Sequence, residues 1–363
     1  MKLNNIKFVL IIPPAKGMGP VNDIKGIAFK KEDKIIFTEP NVNHYDINNM
    51  VDLPYEYFNM KHFSNAKMMA QDPTTYYPKP VNNMKSINII SGRGCVYKCN
   101  FCSRSSSYVN YKNIDTLLTE IDFLKNTYNV NSFHFIDELF IYDISRLKEL
   151  CKRIKKLNIS WDCHGRVNLL NYDLFCMMKD AGCISIGLGI ESGSPKILKR
   201  MNKQITIKKI EKVLNDAAKA DMHIKILLIA GYFGETIKSL LETVDLFKRI
   251  KNSGRRFSIY TPLPGSYDYD YLIKNNKILN EDLYLDELCD GYSTTEKLLI
   301  NITKLSDEKL SESIIFAEEE MKNNYIKYLL ENNKSRFFDF LKYGLRLNKK
   351  EINKLLINLK IEL

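Results

Sequence analysis

The sequence predicts an α/β fold, a partial (β/α)6 TIM-like barrel with a helical C-terminal region. Two observations predict it: six short runs of β-branched and apolar residues, and the longer amphipathic stretches that separate them. Strands that alternate with helices in this way form a parallel sheet covered by helices. Six units are too few to close an eight-stranded barrel, so the sheet should stay open. The predicted strands are Ser86–Ser91, Ser132–Ile136, Ile159–Cys163, Ile184–Ile190, Ile224–Ala230 and Phe257–Thr261.

Five helices are predicted between these strands, because apolar residues recur there at the spacing of one helix face. They are Asn113–Lys125, Ile144–Leu157, Tyr172–Ala181, Thr206–Ala220 and Thr236–Lys251. In folds of this class the chemistry gathers where strands run into loops at their C-terminal ends. Candidate functional residues are therefore expected directly after the strands.

The flanks of the barrel carry weaker patterns. Strand candidates lie at Lys7–Ile12 and Lys34–Thr38, four prolines punctuate the stretch before the first barrel strand, and a helical pattern is clearest from Asp307 to Leu330. The predicted organisation is a short N-terminal segment over 1–50, an extended linker over 51–85, the barrel over 86–270 and a helical region over 271–363.

The composition excludes several classes of protein. With 45% hydrophobic and 27% charged residues the chain is neither disordered nor fibrous, and no apolar run approaches the roughly 18 residues that a membrane span needs. The apolar start up to Ile12 stops at Pro13-Pro14 without the form of a signal peptide. A cytoplasmic location is expected, where the eight cysteines serve as thiols or metal ligands rather than disulfides.

The net charge of +11 raises the question of an acidic partner such as RNA. Ten lysines and arginines against four acids lie from Met321 to Leu363, so about half of the excess sits in one tail. A solvated helical face explains this better than a nucleic-acid surface, and nucleic acid is not favoured. Apolar residues of the tail, such as Leu329, Phe337 and Leu341, are expected to pack against the barrel.

Three cysteines follow the first predicted strand in a C-x3-C-x2-C loop and give the strongest signal in the chain. They are Cys95, Cys99 and Cys102, preceded by Gly92 and Gly94. Three thiolates can bind three irons of a cubane cluster that ordinarily takes four cysteines, which leaves one iron open for another ligand. A zinc knuckle or unrelated thiols are the alternative, but zinc needs a fourth nearby Cys or His and the loop has none.

At these residues the chain resembles the radical S-adenosylmethionine enzymes, whose signature is C-x3-C-x2-C with an aromatic residue before the last cysteine, here Phe101. The resemblance implies a [4Fe-4S] cluster and S-adenosylmethionine as cofactors. It also implies reductive cleavage of S-adenosylmethionine to a 5′-deoxyadenosyl radical that abstracts hydrogen from a substrate. An external one-electron reductant of flavodoxin or ferredoxin type would be a partner.

The same resemblance assigns roles after the second and third strands. Asp137 and Glu138 stand where the family binds the methionyl ammonium; a helix N-cap pair is the other interpretation. His164 and Arg166 follow the third strand as candidate pocket residues. Arg166 matches a family arginine that faces S-adenosylmethionine or substrate, whereas His164 is either a pocket residue or a hydrogen-bonded structural histidine.

The fourth strand leads into G-x-E-S-G and then R-M-N-K, very similar to one branch of the family. The resemblance implies that Glu191 and Ser192 contact the ribose and that Arg200 pairs with the methionyl carboxylate. The turn at 231–236 resembles the family's G-x-P-G-E-T with Phe233 in place of proline, and 261–266 is like P-x-P-G-T.

The sequence also bears on further cofactors and on the substrate. The branch often bears a cobalamin domain, and residues 1–50 resemble at most a remnant of one, so cobalamin is not expected. The other cysteines are not grouped, which argues against auxiliary clusters. A peptide or small metabolite is favoured as substrate. Three alternatives remain: an iron–sulfur electron carrier, an RNA-binding protein without radical chemistry, and an RNA-modifying radical enzyme.

Overall fold

The computed structural model of the protein describes residues 23, 28–31, 34–39, 46–49, 53–60, 84–250, 257–332, 337, 341 and 349–358. The chain divides into two units, 1–50 and 51–363. In the first, β1 (Ala28–Lys31) pairs antiparallel with β2 (Lys34–Phe37). This confirms the strand predicted at Lys34–Thr38, while the one predicted at Lys7–Ile12 lies outside the described residues.

The second unit contains a six-stranded sheet in which every neighbouring pair is parallel. The prediction of an open, partial barrel is confirmed: the strands follow one another in spatial order from the first to the last without closing. All six strands end at the same edge. They are β3 (Ser86–Ile89), β6 (Ser132–Phe135), β7 (Ser160–Gly165), β8 (Cys183–Glu191), β9 (Ile224–Ala230) and β10 (Phe257–Ile259).

Helices follow the strands and cover the outside of the sheet. Those within the barrel are α1 (Ile114–Tyr128), α2 (Ile144–Ile154), α3 (Tyr172–Asp180), α4 (Pro195–Arg200), α5 (Ile207–Lys219), α6 (Ile237–Arg249) and α7 (Tyr267–Lys274). Helices were predicted to start at Asn113, Thr206 and Thr236, which are the N-caps of α1, α5 and α6. Their side chains accept hydrogen bonds from the first turn, so each helix begins one residue later.

The core lies between the sheet and these helices. β9 alternates buried and half-buried residues, which gives it one face against the helices and one face toward the inside of the half-barrel. Trp161 is fully buried beside Phe135 and Phe140, and its indole Nε1 donates to the Ala181 carbonyl at 2.8 Å.

Two further features frame the ends of the second unit. Residues Tyr55–Tyr57 form a 3-10 turn, and the Tyr55 hydroxyl donates to Glu120 Oε1 at 2.6 Å, so this part of the predicted linker is packed against α1. A small antiparallel pair, β4 (Gly92–Arg93) with β5 (Asn110–Tyr111), was not predicted. It brackets the cysteine loop.

The C-terminal region is helical, as predicted, with α8 (Glu281–Asp290), α9 (Asp307–Asn332) and α10 (Lys349–Asn358). The first half of α9 packs on α6 and joins the barrel core. Leu329, Phe337 and Leu341 are buried, but in a separate cluster with Ile326 rather than against the barrel, which corrects that expectation. Among the described helices, none is long and apolar enough to cross a membrane.

Candidate active site

The cysteine loop lies between β4 and β5 at the edge where the strands end. Cys95 N donates to the Ser106 carbonyl at 3.2 Å, and Cys102 N donates to the Cys99 carbonyl at 3.2 Å. Gly94 has φ +91°, and a Cβ atom there would overlap the Tyr108 carbonyl. The loop therefore requires glycine at this position to close.

The three thiols are free and influence one another. Burial raises the pKa of Cys95, and the nearby Cys99 raises it further. Burial, Cys99 and Cys95, in that order, raise the pKa of Cys102 to about 11. Part of Cys102 is nevertheless exposed to solvent. Negatively charged thiolates held close together repel one another, so their formation is unfavourable unless a positively charged metal centre binds them in place of protons. This donor set fits a cationic cluster.

A site for a single metal ion would need a different arrangement of side chains from that of a cubane cluster. Among the described residues, no three side chains of Cys, His, Asp or Glu are grouped to hold one metal ion. A cubane cluster does not demand such convergence, because each thiolate binds its own iron.

Asn100 fixes the loop between the second and third cysteines. Its N–H donates to the Met201 carbonyl at 3.0 Å, and its side-chain amide donates to the Arg200 carbonyl at 2.9 Å. Its own carbonyl accepts from Asp268 N at 3.1 Å. The loop is thereby joined to the end of α4 on one side and the start of α7 on the other.

Arg166 reaches the cysteine loop from the end of β7. It is buried, its guanidinium lies 3.7 Å from the centre of the Tyr97 ring, and Nη1 donates to Cys99 Sγ at 3.4 Å. Nη2 donates to the Lys203 carbonyl, while the buried Nε has no protein partner. Arg166 therefore lies at the cysteine loop, and its contact with S-adenosylmethionine or substrate remains a prediction. The free Nε is a donor available to a ligand at the loop.

Glu191 lies at the end of β8 in a left-handed conformation with φ 65° beside a register shift between β8 and β9. Its Oε1 accepts from Lys203 Nζ at 2.6 Å, and both side chains are only 8% exposed. A Cβ atom on Gly189 would overlap Glu191 Oε1 and stand 2.7 Å from Lys203 Nζ. The glycine in G-x-E-S-G thus makes room for this ion pair.

Lys203 was not singled out from the sequence, although it ends the quoted R-M-N-K stretch. Its Nζ lies 5.7 Å from the centre of the Phe101 ring, which is half-buried next to Met201 and Tyr232. Phe101, Glu191 and Arg166 are therefore brought together around one lysine. The signal that identifies Lys203 is tertiary, because it lies twelve positions after Glu191, beyond a turn and a helix.

Ser192 precedes α4, and Arg200 is its last residue. Ser192 is buried, and its Oγ accepts from Ser194 N at 3.1 Å, a bond that shapes the turn. Arg200 is exposed, and its Nη1 donates to the Phe233 carbonyl at 2.9 Å in the turn after β9. The contacts of these residues with a cofactor remain predictions.

Asp137 and Glu138 each hold one flank of the cysteine loop. Asp137 is buried and accepts from Ser91 N at 2.7 Å and from Ser91 Oγ at 2.5 Å. Burial raises its pKa, and these bonds oppose the rise. Glu138 is exposed and accepts from Ser105 N at 2.7 Å. Neither caps α2, whose N-cap is Asp143, so the N-cap interpretation is wrong.

His164 lies on the inner face of the sheet with His134 and Asp162. Its ring is 5.7 Å from that of His134 in an edge-to-face arrangement, and His134 Nδ1 bonds Asp162 Oδ1. A Cβ atom on Gly187 would overlap the His164 ring, so β8 leaves space for it. Burial lowers the pKa of His164 to about 4, helped by His134 and Lys225. The imidazole is neutral at pH 7.

We expect His164 to make the protein less stable at mildly acidic pH. Below its unfolded pKa of about 6.5 the unfolded chain takes up a proton, which the folded chain accepts only near pH 4. The free energy of unfolding therefore falls with pH over that window. Relative to His164→Gln, wild type should lose about 2 kcal/mol between pH 7.5 and 5 in anaerobic urea titrations. A difference between the two proteins that does not change with pH would contradict this.

Two buried groups near the site were not assigned from the sequence. Glu235 Oε2 accepts from Gly231 N at 2.5 Å, Oε1 has no protein partner, and burial raises the pKa of this carboxyl to about 7. Asp268 accepts from the Tyr232 hydroxyl at 2.6 Å and the Tyr260 hydroxyl at 3.2 Å. Of the other cysteines, Cys151, Cys163 and Cys183 are buried and Cys289 is exposed.

Comparison with known proteins gives a family and a fold. The Radical SAM superfamily model matches residues 89–247. A protein of Pyrococcus horikoshii named as an uncharacterized methyltransferase is 31% identical over 196 residues, 53% of this chain and 43% of that protein. The bacteriochlorophyllide d C-12(1)-methyltransferase of Chlorobaculum tepidum is 26% identical over 242 residues, 65% of this chain and 51% of that protein. The chain spans about half the length of these relatives.

Solved structures share the fold. The cobalamin-dependent S-adenosylmethionine radical enzyme OxsB, with aqua-cobalamin and S-adenosylmethionine bound, matches 85% of this chain and 43% of its own with a TM-score of 0.53 and 17% identity. The methyltransferase TsrM from Kitasatospora setae, with tryptophan and aza-SAM bound, matches 67% of this chain and 48% of its own with a TM-score of 0.52 and 14% identity. At these identities the likeness concerns the partial barrel alone.

Proposed function

This chain belongs to the radical S-adenosylmethionine superfamily, whose model it matches over residues 89–247, and from that premise we propose that it cleaves S-adenosylmethionine reductively. The observation that carries the proposal is the cysteine loop, in which three free thiols share one tightly closed turn. Cys95, Cys99 and Cys102 would hold a [4Fe-4S] cluster. When bound, the cluster and S-adenosylmethionine supply the one-electron chemistry that yields a 5′-deoxyadenosyl radical for hydrogen abstraction.

The residues around the loop bind and orient in this proposal. The hydrogen bond from Arg166 to Cys99 Sγ would tune the electron density on that sulfur. The Phe101 ring would form an apolar wall of the site, with Lys203 Nζ over the face of the ring. Glu191, held by Lys203, keeps its second carboxylate oxygen for a ribose hydroxyl, and Ser192 stands beside it. The close packing around β8 excludes water from the place of reaction.

The charged groups at the rim would bind the methionyl end. Arg200 would pair with the carboxylate, and Asp137 and Glu138 with the ammonium, at the ends of strands that share one edge. Glu138 is exposed, and its hydrogen bonds within the described part of the chain are to Ser105, so it can turn toward a cation more readily than the buried Asp137. His164, neutral on the inner face, would contact substrate. We propose a peptide or small metabolite as that substrate, in the cytoplasm.

A second candidate is methyl transfer, which the names of two relatives favour. We do not expect residues 1–50 to bind cobalamin. The structure of OxsB, by contrast, contains bound aqua-cobalamin. The two candidates differ in product, because methyl transfer from S-adenosylmethionine leaves S-adenosylhomocysteine whereas reductive cleavage leaves 5′-deoxyadenosine.

The test is anaerobic reconstitution with iron and sulfide, followed by S-adenosylmethionine and dithionite, with and without added cobalamin. We expect 5′-deoxyadenosine without cobalamin, measured by chromatography against a protein sample that received no iron. A cluster-loaded protein that forms none would refute the proposal. S-adenosylhomocysteine that appears only with cobalamin would support methyl transfer instead.

A further inference from the structure

Exposed cationic and aromatic side chains lie on the cysteine loop and on the two helix ends that are hydrogen-bonded to it. We define the basic-aromatic rim as Lys98, Lys199, Arg200, Tyr267 and Tyr271. Lys98 lies next to Cys99 and is exposed, as are Lys199 and Arg200 at the end of α4. Tyr267 and Tyr271 are 65% and 44% exposed and share one face of α7 at the i, i+4 spacing.

Hydrogen bonds and ring contacts connect these elements into one surface. The Asn202 side-chain amide donates to the Lys98 carbonyl at 2.6 Å, and Asn100 bonds both the end of α4 and the start of α7. Arg200 Nη1 donates to the Phe233 carbonyl, and the Phe233 ring lies 5.8 Å from that of Tyr271. The rim is therefore fixed to the same loop that carries Cys99 and Cys102.

The chemistry of the rim indicates an acidic protein partner. Within the described part of the chain, neither Lys98 nor Lys199 forms an ion pair, so both charges are available. α7 adds one exposed carboxylate, Asp270, against the three cations. Tyrosine and arginine are enriched in protein interfaces, and exposed charges of one sign speed the approach of a partner of the other sign.

We propose that the basic-aromatic rim is the docking surface for an acidic one-electron carrier protein. The inference rests on the proposed function, which needs an external reductant, and it names the surface where that electron enters. The rim fits because exposed Lys98 is the sequence neighbour of the proposed cluster ligand Cys99, so a partner seated there lies next to the cysteine loop. The reduced flavin of flavodoxin would give up one electron, and the cluster would gain it; no atom is transferred.

The interior behind the rim is aromatic. Phe233 lies 5.5 Å from Tyr232 and 6.2 Å from Tyr260 between ring centres, and both tyrosines are buried. The nearby Cys99 contributes to the rise in the pKa of Tyr232, after burial and Asp268. Aromatic rings thus pack in sequence from exposed Tyr271 through Phe233 to the buried Tyr232, which shares a cluster with Phe101 of the cysteine loop.

The first test measures binding without any activity. Unloaded wild type and the double variant Lys98→Glu/Lys199→Glu are titrated with oxidised flavodoxin by calorimetry at low salt. We expect the double reversal to weaken binding by at least about tenfold, and added salt to narrow that gap. The matched control is Lys219→Glu, an exposed lysine at the end of α5, at the opposite edge of the sheet. Equal affinities for all three proteins would overturn the proposal.

The second test compares two reductants on the loaded enzyme. With reduced flavodoxin, 5′-deoxyadenosine formation by the double variant should slow by about tenfold, whereas with dithionite it should match wild type. A loss with both reductants would mean that the lysines serve the site itself, and the docking proposal would be wrong. If wild type forms no product with dithionite, the proposed function fails, while the calorimetric result still decides whether the rim binds the carrier.

Discussion

Cys99→Ala is expected to abolish cluster assembly in this protein. With Cys99 gone, only Cys95 and Cys102 remain in the loop, and two thiolates cannot replace the three that the open cubane site needs. Arg166 Nη1 donates a hydrogen bond to Cys99 Sγ, so the change also removes the partner of this donor. Iron and sulfide content and visible absorbance after anaerobic reconstitution measure the effect. We expect values near those of protein that received no iron.

The matched control for this prediction is Cys289→Ala. Cys289 is an exposed free thiol on α8, away from the loop, and its removal should leave iron content and absorbance at wild-type values. Circular dichroism of the unloaded proteins tells loss of ligand from loss of fold. A folded Cys99→Ala protein that still assembles the full cluster would show that other residues bind it.

Breaking the buried pair of Glu191 and Lys203 should cause the second large effect. Each side chain is 8% exposed, so Lys203→Met leaves a carboxylate, and Glu191→Gln leaves an ammonium, without its partner in the interior. Removal of one member of such a pair costs about 3–5 kcal/mol, because the remaining charge is buried and uncompensated. Each single variant should lose about that much unfolding free energy in urea titrations of the unloaded protein.

The double variant Glu191→Gln/Lys203→Met separates the pair from the individual side chains. Since neither charge of the pair is then left uncompensated, it should recover most of the stability that either single variant loses. It should nevertheless bind S-adenosylmethionine more weakly than wild type when loaded with cluster, because Glu191 is proposed to contact the ribose. Additive losses in the double variant would show that the two side chains are not coupled.

The sequence predicted most of the fold because the signals were local. The predicted strand Ile224–Ala230 matches β9 to the residue, and the helices predicted from apolar periodicity to start at Asn113, Thr206 and Thr236 begin one residue later, because these side chains cap the first turn. The short pair of β4 and β5 was missed because two-residue strands have no readable period. The packing of the tail was missed because an apolar face shows that it must be buried, not where.

By itself the sequence determined the parallel, open sheet, the family resemblance and the three cysteines, since each depends on spacing along the chain. Only the tertiary structure decided which side chains meet. Lys203 reaches Glu191, Arg166 reaches Cys99 and stacks on Tyr97, and Asn100 joins α4 to α7. Such contacts join residues from different strands and helices, and their partners are set by the register and curvature of the whole sheet. The physical reason is that hydrogen bonds and ion pairs depend on position to within a fraction of an ångström, which spacing in sequence does not encode.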